Sequence, residues 1–180
     1  MGGINMLNMR HLSVMSGFLS AKRRLEWFPP FRRMGVKLLV LRDDWREIRI
    51  LLPLKRNRNP GGSMFGGAMA ALADPIPALA CNRLFPGNAV WTRELQVDFR
   101  RPGLADLELR FFFNADIEEG IATQIAQNGR STPCFEFGFY LPNGEISAWV
   151  CNRVAIRPMG QTVRSNGALG VMANKRSSEK

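Results

Sequence analysis

Short stretches of alternating apolar and polar residues recur along much of the chain. A period of two residues is typical of strands that bury one face. A turn signal, Pro142-Asn143-Gly144, joins the last two stretches and favours a hairpin between them. Strands are therefore predicted in six segments: 36–41, 48–52, 90–100, 107–113, 135–141 and 146–156.

The third of these segments carries the most pronounced alternation. Trp91, Leu95, Val97 and Phe99 fall on one face of an ideal strand, and polar residues such as Thr92 fall on the other. We therefore expect Trp91 to point in the same direction as the other three apolar side chains.

The segment 63–85 is apolar on every side and too long for a strand. This pattern predicts one buried helix. A shorter basic helix is predicted over 16–28, ended by Pro29-Pro30. A third helix is predicted over 115–128, where isoleucines recur every four residues and Gly129 follows the end.

The order of these elements defines the fold class. Hairpin-length connections make neighbouring strands antiparallel. The apolar face of such a sheet must be covered, and helix 63–85 is the element apolar enough to lie there. We predict an α+β fold in which a curved antiparallel sheet of about six strands wraps around one central apolar helix. This domain spans 16–157, between a flexible segment 1–15 and a basic, disordered tail 158–180.

Charge is distributed unevenly over the 180 residues. The net charge is +10, with 13 basic and 4 acidic residues in 1–58 and 5 basic and 1 acidic in 157–180. The central part, 59–156, has 7 basic and 10 acidic residues. Basic flanks are typical of solvated ends, and they are also compatible with attraction to nucleic acid, anionic lipid or the phosphates of coenzyme A.

Several classes of site and location are disfavoured. No apolar run is long enough to span a membrane, and no secretory signal is evident. The three cysteines form no CxxC pair, which favours free thiols in a reducing cytoplasm over a disulfide framework. No His/Cys cluster has metal-ligand spacing, His11 is the only histidine, and no cofactor motif is present.

Asp74 is the only charged residue in the apolar core of segment 63–82, and Pro75 follows it directly. Proline disfavours helical backbone at the residue before it, so the helix is expected to be disturbed at Asp74. Two interpretations are open. Asp74 caps a second helix that begins at Pro75, or the disturbance exposes its carboxylate to a pocket.

Two motifs carry a family resemblance. NPGGSMFGGAMAALAD (59–74) and RELQVDFRRPG (93–103) resemble the corresponding segments of PaaI-type acyl-CoA thioesterases of the hotdog-fold superfamily. Three further features are closer still to those of a poorly characterised branch of that superfamily. They are the Phe before Gly-Gly, the Asp-Pro pair after Leu-Ala, and the Val-Trp pair before the strand. The resemblance covers roughly 34–157.

This resemblance implies roles for particular residues. Asp74 falls where the family has its catalytic carboxylate, and Asn59 falls on an asparagine of the preceding loop, where it positions substrate or water. Gly66 and Gly67 fall at the helix start that supplies a backbone N–H to the thioester carbonyl. Phe65 replaces the histidine expected beside the substrate. The resemblance also implies a homo-oligomer, a dimer or a dimer of dimers, with the active site between subunits and no metal.

Three functions follow as hypotheses. The first is hydrolysis of an acyl thioester such as acyl-CoA by Asp74 and the glycine N–H groups. The second is a non-catalytic protein that binds a fatty-acyl ligand, which the Phe65 replacement favours. The third, in which nucleic acid or a membrane surface binds the basic flanks, is the least favoured.

Overall fold

The computed structural model of the chain describes residues 21–159. Its centre is one six-stranded sheet in the order β1-β2-β4-β5-β6-β3, and every neighbouring pair is antiparallel. The predicted α+β class and the predicted antiparallel sheet are confirmed. The strands are β1 (Lys37–Leu41), β2 (Glu47–Leu52), β3 (Asn88–Phe99), β4 (Leu107–Phe112), β5 (Cys134–Tyr140) and β6 (Ile146–Pro158).

Five α-helices and one 3-10 helix lie within the described residues. The last of them, α5, follows the predicted pattern: Asn114 caps its start by accepting the N–H of Asp116, and Gly129 ends it with a φ of 64°. Pro29 and Pro30, expected only to end a helix, also begin the next one. The helices are α1 (Ala21–Trp27), α2 (Pro29–Met34), 3-10 helix Leu54–Arg56, α3 (Gly66–Ala73), α4 (Pro75–Leu84) and α5 (Ala115–Asn128).

The core lies between the concave face of the sheet and helices α3 and α4. Alternate residues of β2, β4, β5 and β6 are buried there, as the sequence pattern predicts, whereas no residue of the edge strand β3 is fully buried. Burying one such leucine or isoleucine side chain stabilises the fold by about 1.5–3 kcal/mol. Phe111 forms an edge-on ring contact with Phe137 at 5.5 Å between centroids, and it also packs against the ring of Phe135 at 5.7 Å.

The predicted single helix 63–85 is two consecutive helices that meet at Asp74. The residue keeps helical angles, φ −51° and ψ −57°, so the chain bends little there. The helix pair is also less buried than its composition suggests. Leu72, Ala73 and Ile76 are fully buried, but Ala71 and Asp74 are exposed.

A β-bulge changes the predicted faces of β3. Thr92 lies opposite Val154 and Glu94 lies opposite Arg153, so Arg93 has no partner on β6. One extra residue reverses the alternation on its N-terminal side. The prediction that Trp91 shares a face with Leu95 is therefore wrong, and Thr92 takes the face that points towards α4.

The expectation of free thiols is wrong for two of the three cysteines. Cys134 on β5 and Cys151 on β6 form a disulfide between neighbouring antiparallel strands, with their Cα atoms 6.5 Å apart. Residue spacing along the chain could not reveal this pair, because strand register and not a CxxC motif brings the two together. Cys81 on α4 is a free, fully buried thiol.

The buried Cys81 thiol makes stability depend on alkaline pH. Burial raises its pKa to about 12, whereas an unfolded cysteine ionises at about 8.5. The unfolded chain loses this proton first, so the free energy of unfolding falls as the pH rises from about 9 towards 12. At pH 10 we expect the thiol to account for a loss of about 2 kcal/mol relative to pH 8.

Urea unfolding at pH 8 and pH 10 measures this effect in the oxidised protein. The matched variant Cys81→Ala should lose less stability between the two pH values than the wild type does. An equal loss in both proteins would show that the thiol is not responsible.

Some predicted segments cannot be compared with this fold. The flexible segment 1–15, His11 and all but the first two residues of the tail 158–180 lie outside the described residues. Between residues 21 and 159, no helix is long and apolar enough to cross a bilayer.

Candidate functional site

The start of α3 presents backbone N–H groups without acceptors. Phe65 precedes the helix with extended angles, and no side chain in the described part of the chain caps this end. The first N–H groups of a helix have no partner within the helix. Gly66 and Gly67 supply those groups here, and the helix dipole makes this end attractive to negative charge.

Two exposed phenylalanine rings flank these glycines. The ring of Phe99 lies so close to Gly66 that an added Cβ would come within 2.9 Å of it, and the ring of Phe65 lies closer still over Gly67. Both rings are more than half exposed, at 57% and 55%. Glycine is therefore the residue that fits beneath these rings, and the exposed rings themselves form a surface that suits an apolar ligand.

An open cavity of about 390 Å³ lies at this end of the helix. We call it the glycine cavity; its walls include Asn59, Gly66, Met69, Phe99, Arg100 and Arg101. A volume of this size is within the range of small-molecule sites. The structure therefore brings together Asn59 and Gly66, two of the residues predicted from the sequence.

Asn59 is engaged within its own loop. Its side-chain NH₂ donates to Ser63 Oγ at 2.9 Å, and its carbonyl oxygen accepts the N–H of Ser63 at 3.1 Å. These two hydrogen bonds shape the loop that leads to the helix start. The second N–H of the amide points to no other described residue.

Asp74 lies at the far end of α3 and does not line the glycine cavity. Its carboxylate is exposed and forms no hydrogen bond or ion pair within residues 21–159. The interpretation of Asp74 as a side-chain helix cap is therefore wrong. Seven residues separate it from Gly67, about 10 Å along a helix, so both cannot contact one carbonyl group in a single chain.

The backbone at Asp74 is held by two side chains that the sequence analysis missed. Thr92 Oγ1 donates to the carbonyl oxygen of Asp74 at 2.8 Å, and Asn152 Nδ2 donates to the same oxygen at 2.9 Å. Asn152 also reaches the carbonyl of Ala73 at 3.4 Å. The Ala73 carbonyl would normally accept the N–H of the residue four positions later in a helix. That residue is Pro77, which has no N–H.

One signal in the sequence could have indicated these partners. Two prolines just after Asp74 remove N–H donors from a buried helix, so donors from elsewhere must satisfy the carbonyls. The pattern did not say which side chains these would be. The bulge at Arg93 turns Thr92 towards the helix, and Asn152 is a fully buried polar residue in an apolar strand face.

Gly67, Ala71 and Asp74 form one exposed stripe along α3. Their spacing of four and then three residues puts them on the same side of the helix, and all three are exposed. The stripe is small and apolar, with N–H groups at one end and a carboxylate at the other. A second copy related by a two-fold axis could place its own stripe against this one with the ends reversed.

Arg100 and Arg101 follow the end of β3 at the mouth of the glycine cavity. Arg100 pairs with Asp98 at 2.8 Å, and Arg101 pairs with Glu145 at 3.4 Å. All four side chains are exposed, so these ion pairs are weak and easily exchanged for another anion. Across residues 21–159, no group of three or more metal-ligating side chains is present.

Known proteins share both the motif segment and the fold. The model of the thioesterase superfamily matches residues 61–111, which include α3, α4 and β3. The sheet wrapped around the helix pair is the hotdog fold, and the resemblance to hotdog-fold thioesterases is confirmed. A comparison with curated proteins finds no match.

Three solved structures illustrate the likeness. A protein of unknown function from Pseudomonas aeruginosa, termed a probable thioesterase, is 24% identical over 71% of this chain and 86% of its own, with a TM-score of 0.63. A Haemophilus influenzae thioesterase is 17% identical over 78% and 90%, with a TM-score of 0.60. The Escherichia coli PaaI protein, from the phenylacetic acid degradation operon, is 18% identical over 85% and 97%, with a TM-score of 0.56. At these identities the likeness establishes the fold alone.

Proposed function

We propose that this protein hydrolyses acyl thioesters, with acyl-CoA as the substrate class, at a site shared by two subunits. The observation that carries the proposal is the exposed stripe with uncapped glycine N–H groups at one end and the unpaired Asp74 carboxylate at the other. The thioesterase-superfamily match over the same segment supports it.

The chemistry follows from what each group can donate or accept. The N–H groups of Gly66 and Gly67 hold the carbonyl oxygen of the thioester and stabilise the negative charge that forms on it. Asp74 accepts a proton from water as the water oxygen attacks the carbonyl carbon, or attacks that carbon itself. When water attacks, cleavage of the carbon–sulfur bond releases the thiol, which takes up the proton from Asp74, and leaves the free acid. When Asp74 attacks, the thiolate leaves behind an acyl–Asp74 anhydride; water then hydrolyses this anhydride to the free acid and Asp74, and the thiolate takes up the proton that the water releases.

A shared site resolves the separation of about 10 Å between these groups. With two stripes packed in reverse order, the Asp74 of one subunit lies beside the glycines of the other. The long edge strand β3 supports such an assembly, because its outer edge has no strand partner among residues 21–159. Phe65 and Phe99 would line the acyl path at this contact, in place of exposed rings.

The thiol half of the substrate carries phosphates in coenzyme A. Arg100 and Arg101 lie at the mouth of the glycine cavity, and their ion pairs are with exposed carboxylates, which they can exchange for phosphates. The net charge of +10 adds a general attraction to such an anion.

Release of thiol from a panel of acyl-CoAs, from acetyl to palmitoyl, tests the proposal directly. We expect turnover with at least one chain length and a rate proportional to protein concentration. A panel without thiol release above the uncatalysed rate would contradict hydrolysis.

A second candidate function is favoured by Phe65. This ring stands over Gly67, where the resemblance implies a histidine, and offers no polar group to the substrate. A protein that binds acyl-CoA without cleaving it would be stabilised thermally by the ligand and would release no thiol. The same panel, followed by a thermal shift assay, separates the two candidates.

The substitution Thr92→Val tests whether the hydrogen bond from Thr92 to the Asp74 carbonyl matters for the reaction. Valine keeps the shape of threonine but cannot donate to the Asp74 carbonyl, so we expect a loss of about 1 kcal/mol in the free energy of unfolding. A shifted Asp74 should lower kcat about tenfold with KM unchanged. Thr92→Ser keeps the hydroxyl and should restore most of kcat; equal kcat for valine and serine would contradict the positioning role.

A further inference from the structure

A second cavity, away from the glycine cavity, has the features of a ligand site. It lies between α1, α2 and α4, has a volume of about 420 Å³, and is called here the α1–α4 cavity. We propose that it binds a free carboxylate with a medium-length alkyl chain, and that this site is separate from the hydrolytic one.

The walls of the α1–α4 cavity are apolar and aromatic. Leu25 and Phe28 of α1 and the following turn face Leu79 of α4 across it. The floor includes Phe31, which is 1% exposed and meets the ring of Phe28 edge-on at 5.3 Å. An alkyl chain placed there loses contact with water on most of its surface, which is the main contribution to binding at such a site.

Trp45 completes the wall through an unusual backbone conformation. It occupies the last position of the β1–β2 turn, with its N–H donating to the carbonyl of Arg42 at 2.9 Å. Its φ is 60°, a left-handed conformation that glycine favours at this position and that a bulky side chain rarely adopts. The conformation places the indole against the core and at the cavity rather than in solvent. Strained positions of this kind concentrate at functional sites.

Two unpaired cations define the charge of the ligand. Arg24 of α1 and Arg83 of α4 both line the cavity, and neither forms an ion pair with any residue between 21 and 159. The nearby Glu26 carboxylate accepts a hydrogen bond from the backbone N–H of Leu38 at 2.8 Å, and Glu26 does not line the cavity. An apolar interior beside two guanidinium groups without ion pairs among residues 21–159 is complementary to a carboxylate with an alkyl chain.

The α1–α4 cavity and the glycine cavity share no lining residue. Pro75, Leu79 and Arg83 lie along one side of α4, whereas Gly67, Ala71 and Asp74 lie along a different side of the helix pair. A ligand in the α1–α4 cavity therefore contacts α4 without covering the Asp74 carboxylate. The proposal does not depend on hydrolysis at Asp74.

Calorimetric titration of the full chain with decanoate tests the proposal. We expect saturable binding of decanoate, and at least about tenfold weaker binding of decyltrimethylammonium and of decanol, because neither offers an anion to the arginines. Arg83→Glu should weaken decanoate binding at least about tenfold, and the matched variant Arg83→Lys should retain it within about threefold. Arg83 is exposed at the end of a helix, so both variants should fold.

A second variant tests whether the aromatic wall of the α1–α4 cavity contributes to decanoate binding. Trp45→Gly suits the left-handed turn and removes the indole, so it should weaken decanoate binding while the hairpin stays intact. Equal affinity for the anion, the alcohol and the cation would overturn the proposal, as would decanoate binding unchanged by both Arg83→Glu and Trp45→Gly. Loss of decanoate binding in Phe99→Ala, but in neither of those variants, would assign decanoate to the glycine cavity, which Phe99 lines, and would also overturn it.

Discussion

Asp74→Asn is expected to lower kcat for acyl-CoA hydrolysis at least about 100-fold, because an amide can neither accept the proton from water nor attack the carbonyl. The Asp74 side chain is exposed and makes no hydrogen bond within the described residues, so asparagine removes no folding contact. We therefore expect the melting temperature to stay within about 2 °C of the wild-type value.

Thiol release at saturating acyl-CoA measures this change, with thermal unfolding on the same samples. Glu119→Gln is the matched control, because Glu119 is another exposed carboxylate on a helix, far along the chain on α5. Full activity in Glu119→Gln with collapse in Asp74→Asn would support the assignment. Asp74→Asn with wild-type kcat would contradict it.

Two variants that are each inactive alone should regain activity when one chain of each forms a mixed dimer. Gly66→Pro removes one N–H at the first helical position, where the backbone accepts proline, and the proline ring displaces the exposed Phe99 ring from its place beside this residue. A mixed dimer of Gly66→Pro and Asp74→Asn contains one intact site, made from the glycine of one chain and the carboxylate of the other. Random pairing of equal amounts then gives about a quarter of wild-type activity.

Co-expression of the two variants with different affinity tags, followed by two-step purification, isolates the mixed dimers. Their activity should be about half that of the wild type per dimer. Each variant paired with itself serves as the control and should remain inactive. Mixed dimers that are as inactive as the parents would show that Asp74 does not act on the glycine site of a partner.

Most of the strands could be predicted from alternation because they have one buried face, and the core residues of β4 and β5 lie where the pattern put them. Trp91 could not be placed, because a bulge depends on the pairing of β3 with β6 and leaves no mark in a single strand. The pairing of Cys134 with Cys151 depends on register in the same way. The helix break was expected from Pro75, but its small bend was not, since the donors that allow it come from Thr92 and Asn152.

The candidate site was predicted to the extent that its residues lie in two short motifs. Gly66, Asn59 and the neighbouring turn of Arg100 and Arg101 do line one cavity. The exposure of Phe65 and Asp74 could not be derived, because an apolar segment with a single charge looks wholly buried in the sequence. Exposure follows from the shape of the sheet, which covers only one side of α3 and α4.

The bulge at Arg93 also affects how β3 should respond to a change in length. Substitution of Arg93 alters one exposed side chain, whereas its removal would restore an unbroken alternation. Residues 88–92 would then turn over, bringing an indole against the helix and moving the Thr92 hydroxyl away from the Asp74 carbonyl. A codon deletion here should therefore be far more damaging than any point change at the same codon.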